Sequence, residues 1–154
     1  MAHSELILEP EEQFLTDGAL PPERISTVIA RWSADARVGG VASFAGLVRA
    51  DETPEGRVSA IEFTAHRSMA ERSIRELAER TAAAYDSPVL RLYVEHALGH
   101  VAVGEIPIVI VAGASHRPEA FGLCRDILEA LKSEVPIYGR ELTADGGHQW
   151  KVNR

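Results

Sequence analysis

The chain has 154 residues, 45% hydrophobic and 25% charged, a balance that supports a packed core and excludes wholesale disorder. Sixteen Lys+Arg against 23 Asp+Glu give a formal charge of −7, so the broad positive field needed for non-specific nucleic-acid binding is absent, and any anion site must be a local basic pocket in an acidic body. One cysteine, Cys124, excludes an internal disulfide and a Cys-rich zinc centre.

The length fits a single domain over residues 1–154. Met1-Ala2-His3-Ser4-Glu5 has neither a basic region nor a long apolar run, so no signal peptide is expected. The longest strongly apolar run, Ile106 to Ala112, falls far short of the ~20 residues that span a bilayer. The expectation is a soluble cytoplasmic protein with no membrane partner.

In chain order, Glu5 to Glu9 reads as a short strand. Pro21-Pro22-Glu23 opens a helix, since proline suits a first turn and an acid complements the helix dipole. Ile25, Val28, Ile29 and Trp32 continue it at helical spacing until Gly39-Gly40. Val41 to Val48 reads as a strand rich in small residues, which permit close approach of backbone or ligand. Arg49 to Arg57, with Pro54 and Gly56, reads as a mobile loop. Ile61, Phe63 and Ala65 alternate with polar residues in a half-buried strand. Arg67 to Tyr85 reads as a helix with Ala70, Ile74, Leu77, Ala78 and Thr81 inside, and with Glu71–Arg75 and Glu76–Arg80 pairs outside.

Leu90, Leu92 and Val94 mark another strand, and Gly99 and Gly104 read as turns around a short one. Ile106 to Gly113 reads as a central strand with Pro107 near its start. Ser115 to Glu119 leads into a last long helix with Phe121, Cys124, Leu128 and Leu131 on its buried face, ended by Pro136. Pro136 to Thr143 and Gln149 to Val152 read as terminal strands. The order β-α-β-β-α-β-β-β-α-β-β predicts an α+β domain, with a mixed, mostly antiparallel sheet packed against about three helices.

Phosphate-cradling glycine motifs, a GxSxG elbow and HExxH-type metal spacing are all missing, so no cofactor and no metal are expected. Cys124 faces inward on its helix and reads as core. What remains is a set of cations at element ends: Arg49 closing a strand, His116 and Arg117 between a strand and a helix start, Lys132 near that helix's end, and Arg140 after Pro136-Ile137-Tyr138-Gly139. Guanidinium groups and helix N–H groups at such junctions suit a phosphate or carboxylate. Each cation also has a structural reading, as a solvated loop residue, a cap or a surface ion pair such as Glu129–Lys132.

Gly40 to Arg49, Gly56-Arg57-Val58, Ile61-Glu62-Phe63 and Ser68-Met69-Ala70-Glu71 together resemble the amino-terminal motifs of the MoaE family, the large, catalytic subunit of molybdopterin synthase. His96 with Gly99 and Val103-Gly104-Glu105 resemble its central block. Ala114-Ser115-His116-Arg117, Ala120-Phe121, Leu131-Lys132, Val135-Pro136-Ile137 and Trp150 continue the likeness over nearly the whole chain.

The resemblance implies an α/β-hammerhead type of fold. It implies a sulfur transfer in molybdenum cofactor biosynthesis, in which cyclic pyranopterin monophosphate receives two sulfurs and becomes molybdopterin. The sulfur donor it implies is a thiocarboxylate on the C-terminal Gly-Gly tail of a small ubiquitin-like subunit. The implied assembly is a homodimer with one small subunit at each end, a heterotetramer, whose pocket lies near the dimer interface. Carried over residue by residue, Lys132 takes the catalytic lysine's place. Arg49, His116 and Arg117 take substrate-binding places, and Phe44 lines the pocket.

The chain departs from the family pattern at two points. The family's second lysine is Gly139 here, with Arg140 beside it, and an Arg common after the central His is Ala97. In an extended segment Arg140 points to the face opposite residue 139, and an arginine does not readily supply a neutral amine. Arg140 or Lys151 compensates, or the chain is a catalytically weakened paralogue that binds the partner or a pterin. A phosphate-ligand sensor without a ubiquitin-like partner is the third reading.

Overall fold

The computed structural model describes residues 4–151. The sequence readings at Met1–His3 and at Val152 lie outside that range. Among the described residues the order is β1 (Glu5–Glu9), β2 (Leu15–Asp17), α1 (Arg24–Trp32), β3 (Gly40–Ala45), β4 (Glu52–Thr53), β5 (Gly56–Ala65), α2 (Arg67–Ala82), β6 (Val89–Ala102), β7 (Ile108–Ala114), α3 (Arg117–Glu134), β8 (Ile137–Thr143) and β9 (His148–Trp150). The architecture is the expected α+β one. The sheet runs β3-β7-β6-β5-β8-β9, with β1 and β2 alongside β6 and β4 alongside β5. Among the described residues only the β1–β6 and β2–β6 pairings are parallel.

The long strand β6 organises the rest. Its first part pairs β7 on one side and β1 and β2 on the other, and its last residues, Gly99 to Ala102, pair β5. Gly99 has φ +87°, a left-handed conformation that glycine adopts without steric cost. The strand therefore bends there and changes partners instead of ending in a turn. Leu15–Asp17 is too short to carry a periodic signal, and its pairing with His96–Leu98 comes from β6. The expected loop after Arg49 contains a small hairpin, in which Glu52 and Thr53 pair with Arg57 and Gly56.

β7 is buried at every residue, with α1 and α3 both packed against it. The stripe of α3 that faces the core is Ala120, Leu123, Cys124, Ile127 and Leu131. Phe121 is one residue off that stripe, turned by about 100° at 3.6 residues per turn, and is exposed. The charges of α2 work across elements, where pairs within the helix, Glu71–Arg75 and Glu76–Arg80, were expected. Glu71 accepts from the amides of Phe14 and Leu15, Arg75 lies over the Phe14 ring, and Arg80 pairs with Glu134. His66 caps α2, its Nδ1 accepting from the Met69 amide.

Glycine is needed where β3 begins. A Cβ on Gly39 would lie 2.2 Å from the Ser115 carbonyl oxygen, a backbone atom that cannot swing aside. Gly39→Ala is expected to destabilise by about 1–3 kcal/mol, the usual cost of overpacking. The urea midpoint measures it, and an unchanged midpoint would mean that the β7–α3 junction yields freely.

Candidate functional site

The end of α3, the chain after it and the bend in β6 enclose a cleft of about 430 Å³, within the range of small-molecule sites. α3 stops because Val135 turns extended, at φ −84° and ψ 128°, ahead of Pro136, which disfavours helical backbone in the residue before it. β8 then carries Tyr138 and Gly139 along one wall, with Phe63 from β5, His96 from β6 and Ile108 from β7 on the others. The antiparallel β8–β9 ladder brings Trp150 and Lys151 to the rim. Aromatic and aliphatic walls suit a flat ring, and two lysines, Lys132 and Lys151, stand among them.

Lys132, in the last turn of α3, lines the cleft. Its charge and that of Lys151 both act on His96, and those of Lys132 and Arg49 both act on Lys151. Lys132 from the α3 end and Lys151 after β9 thus meet in the cleft, while Arg49 of the β3–β4 connection acts on Lys151 from outside the lining. The Lys151 ammonium is held below the usual lysine range by desolvation first and then by Lys132, with a further lowering from Arg49 against opposing contributions from Glu141 and Asp51. Arg49 itself is largely exposed and pairs with Asp51 at 3.2 Å. Glu134 is the acid in the lining, and its carboxylate is engaged by Arg80.

His96 is buried, packs edge-on against Phe63 with centroids 5.0 Å apart, and donates from Nδ1 to the Ala97 carbonyl at 2.8 Å. Burial, with the neighbouring lysines adding to it, pushes its pKa down from 6.5 to about 4. The ring is therefore neutral at pH 7, with its lone pair on Nε2. Because the folded value lies below the unfolded one, the unfolded chain takes up this proton first on acidification. The stability held here is complete above about pH 6.5 and falls away toward pH 4, by about 3 kcal/mol in total. His96→Gln is expected to lose less stability than the parent between pH 7 and pH 4 in urea unfolding, and parallel losses would contradict the assignment.

The other sequence candidates lie elsewhere in the single chain. Arg140 pairs with Glu62 at 2.8 Å and is not part of the cleft lining, as the alternation of an extended strand requires. Phe44 lies on β3 opposite Ile110, half-buried and also outside the lining. His116 and Arg117 begin α3 and are exposed, and the His116 side chain makes no cap bond. They are a helix length, about 22 Å at ~1.5 Å per residue, from Lys132.

The sequence reading did not assign His96, Phe63 or Tyr138 to the site. Of these, His96 alone carried a legible signal, its place in the central block of the family pattern. Among the described residues no cluster of His, Cys, Asp and Glu could hold a metal ion, and no helix is long and apolar enough to cross a membrane.

Residues 16–134 match the family model described as MoaE protein. Over 120 residues, 78% of this chain and 60% of the relative, the sequence is 35% identical to a molybdopterin synthase catalytic subunit of Oryza sativa subsp. indica. It is 34% identical to one from Thermoplasma volcanium over 112 residues, 73% of this chain and 80% of the relative. The chain thus spans about 60% of the length of the rice protein.

Molybdopterin synthase from Staphylococcus aureus superposes with a TM-score of 0.79 at 19% identity, covering 94% of this chain and all of the other. A complex of subunits 1 and 2 of molybdopterin-converting factor from Helicobacter pylori contains a chain that superposes with a TM-score of 0.73 at 18% identity, covering 91% of this chain and 90% of that one. These two likenesses are of fold. Together with the sequence match over residues 16–134, they show that the chain belongs to the MoaE family.

Proposed function

We propose that this chain is the large subunit of a molybdopterin synthase, which transfers two sulfurs to cyclic pyranopterin monophosphate in molybdenum cofactor biosynthesis. The meeting of Lys132 and Lys151 in one cleft with aromatic walls, with Arg49 acting on Lys151 from outside the lining, in a protein of net charge −7, supports this reading most directly. An acidic chain that gathers cations in a hollow has built a local anion site. The aromatic walls accept the pterin and the cations its cyclic phosphate.

The sulfur source in this reading is the thiocarboxylate tail of a small ubiquitin-like subunit ending in Gly-Gly. In each round the tail sulfur forms a bond to a pterin side-chain carbon as a bond from that carbon to oxygen breaks, the oxygen leaving as water or staying on the opened phosphate, and water then cleaves the bond between that sulfur and the tail's acyl carbon. The tail leaves as a carboxylate and no electrons are exchanged. Lys132 stabilises the oxyanion that develops at the acyl carbon. Its amine can also capture the acyl carbon covalently when neutral. The His96 ring, neutral at pH 7, lines the same cleft.

His116 and Arg117 join such a site from a second copy of the chain, since within one copy α3 holds them a helix length from Lys132. Arg49 and Lys132 belong to one copy, and Phe44 lies one strand away from their cleft. The working unit in this reading is a homodimer carrying one small subunit at each end.

The test supplies the purified chain with a thiocarboxylated small subunit and the cyclic substrate and measures dithiolene formation by mass spectrometry. Two sulfurs gained per pterin is the expected result. Binding of the partner without product would instead make the chain a binding protein.

A further inference from the structure

Lys151 enters the cleft by a route of its own. Its amide donates to the Gly139 carbonyl at 2.7 Å, one step beyond the Arg140–Trp150 pair in the β8–β9 register. Residues 139 and 151 are therefore directly opposite across the ladder and share a face. A Cβ on Gly139 would lie 3.5 Å from the Lys151 Cβ, 3.0 Å from Ile61 Cγ2 and 3.2 Å from Phe63 Cε1. Any side chain at 139 would crowd this face, and Lys151, whose Cβ sits opposite it, lines the same cleft as Lys132.

The acids around Lys151 are engaged elsewhere. Glu141 accepts from Gln149 Nε2 at 3.0 Å and Asp51 pairs with Arg49. Among the described residues Lys151 forms no ion pair. Such an amine, crowded by Lys132 and Arg49 and partly desolvated, is stabilised most by an anion brought from outside.

We propose that Lys151 is a second anion-binding amine of this cleft, admitted across the β8–β9 ladder by the glycine at 139, and that it holds an oxyanion of the bound reactants. This inference rests on the sulfur-transfer reading above. The oxyanion has two sources in that reaction, the pterin phosphate and the thiocarboxylate tail, and the two bind from different molecules. A side chain on residue 139 itself would press on Ile61 and Phe63, which would have to give by a few tenths of an ångström.

The experiment compares the wild-type chain with Lys151→Met, which keeps the stem and removes the charge, and with Lys151→Arg, which keeps the charge. Each is assayed with thiocarboxylated partner while pterin and partner are varied in turn. Lys151→Met is expected to lower kcat/KM by roughly 10- to 100-fold, the scale of one hydrogen bond to a charged group. Lys151→Arg should recover most of that loss.

A raised KM for the pterin assigns the phosphate, and a raised KM for the partner assigns the tail. Wild-type kcat and both wild-type KM values in Lys151→Met would overturn the inference and leave the sulfur-transfer reading standing. Higher activity in Gly139→Lys on the wild-type background would overturn it too, by showing that the amine at 151 does not serve the cleft. A wild-type chain that forms no dithiolene overturns the functional reading itself, and this inference with it.

Discussion

Lys132→Ala is expected to lower single-turnover dithiolene formation by at least about 100-fold, the scale on which removal of one oxyanion-stabilising donor acts. The fold should survive, because Lys132 is exposed in the last turn of α3 while the neighbouring core positions Leu131 and Val135 are untouched. Alanine also has the best helix propensity. Lys132→Arg separates two roles of the side chain. It restores the positive charge but does not readily supply a neutral amine, so partial recovery assigns oxyanion stabilisation and no recovery assigns nucleophilic capture. Wild-type rates in Lys132→Ala, with the circular dichroism spectrum unchanged, would remove this residue from the chemistry.

The largest stability effect is expected at Glu95, a buried carboxylate on β6. Tyr93 donates its hydroxyl to Oε1 at 2.7 Å and Thr16 donates to Oε2 at 2.6 Å. Arg24 Nε lies 2.7 Å from Oε1 but lacks hydrogen-bond geometry there, so that attraction is Coulombic, while Arg24 Nη2 donates weakly to Oε2 at 3.4 Å. Burial, and then Glu95, push the Tyr93 hydroxyl well above its ordinary range, so it stays a donor. The network ties β2 and α1 to β6.

Glu95→Ala leaves a guanidinium and two hydroxyls without their acceptor. Breaking a buried pair in this way costs about 3–5 kcal/mol. At roughly 2–4 °C per kcal/mol for a chain of this size, Tm should fall by about 6–20 °C. Glu95→Gln keeps one acceptor oxygen and is expected to cost less. A loss below about 1 kcal/mol in Glu95→Ala would show that water replaces the carboxylate.

The parts of the fold that were legible in the sequence are those in which one element carries its own pattern. The apolar run of β7 and the inward stripe of α2 are such cases, because burial imposes a period that the chain itself displays. Gly99 misled because a glycine inside a strand marks a bend as readily as a turn, and only the pairing of β6 with two sets of neighbours distinguishes them. Phe121 misled because a one-residue shift of phase on a helix turns a large side chain from core to solvent.

The candidate site was less legible. Its lining comes from α3, β5, β6, β7, β8 and the chain after β9, and no local spacing records that meeting. Lys132 could be named because its motif is continuous with Val135-Pro136-Ile137. Arg140 stands next to Gly139 in sequence but across the sheet from the cleft, whereas Lys151, twelve residues away in sequence, is the neighbour of Gly139 in space.

In the proposed sulfur transfer α3 joins two sites, its Lys132 end in one and its Arg117 end in that of a second copy. Mixing two inactive variants tests this most directly: Lys132→Ala and Arg117→Ala are purified, unfolded together, refolded at equal amounts and assayed with thiocarboxylated partner. Random pairing puts half of the chains in mixed dimers, each with one intact site of two, so roughly a quarter of wild-type turnover should return. Full activity in Arg117→Ala alone, or no recovery in a mixture shown to contain mixed dimers, would contradict a site shared between copies.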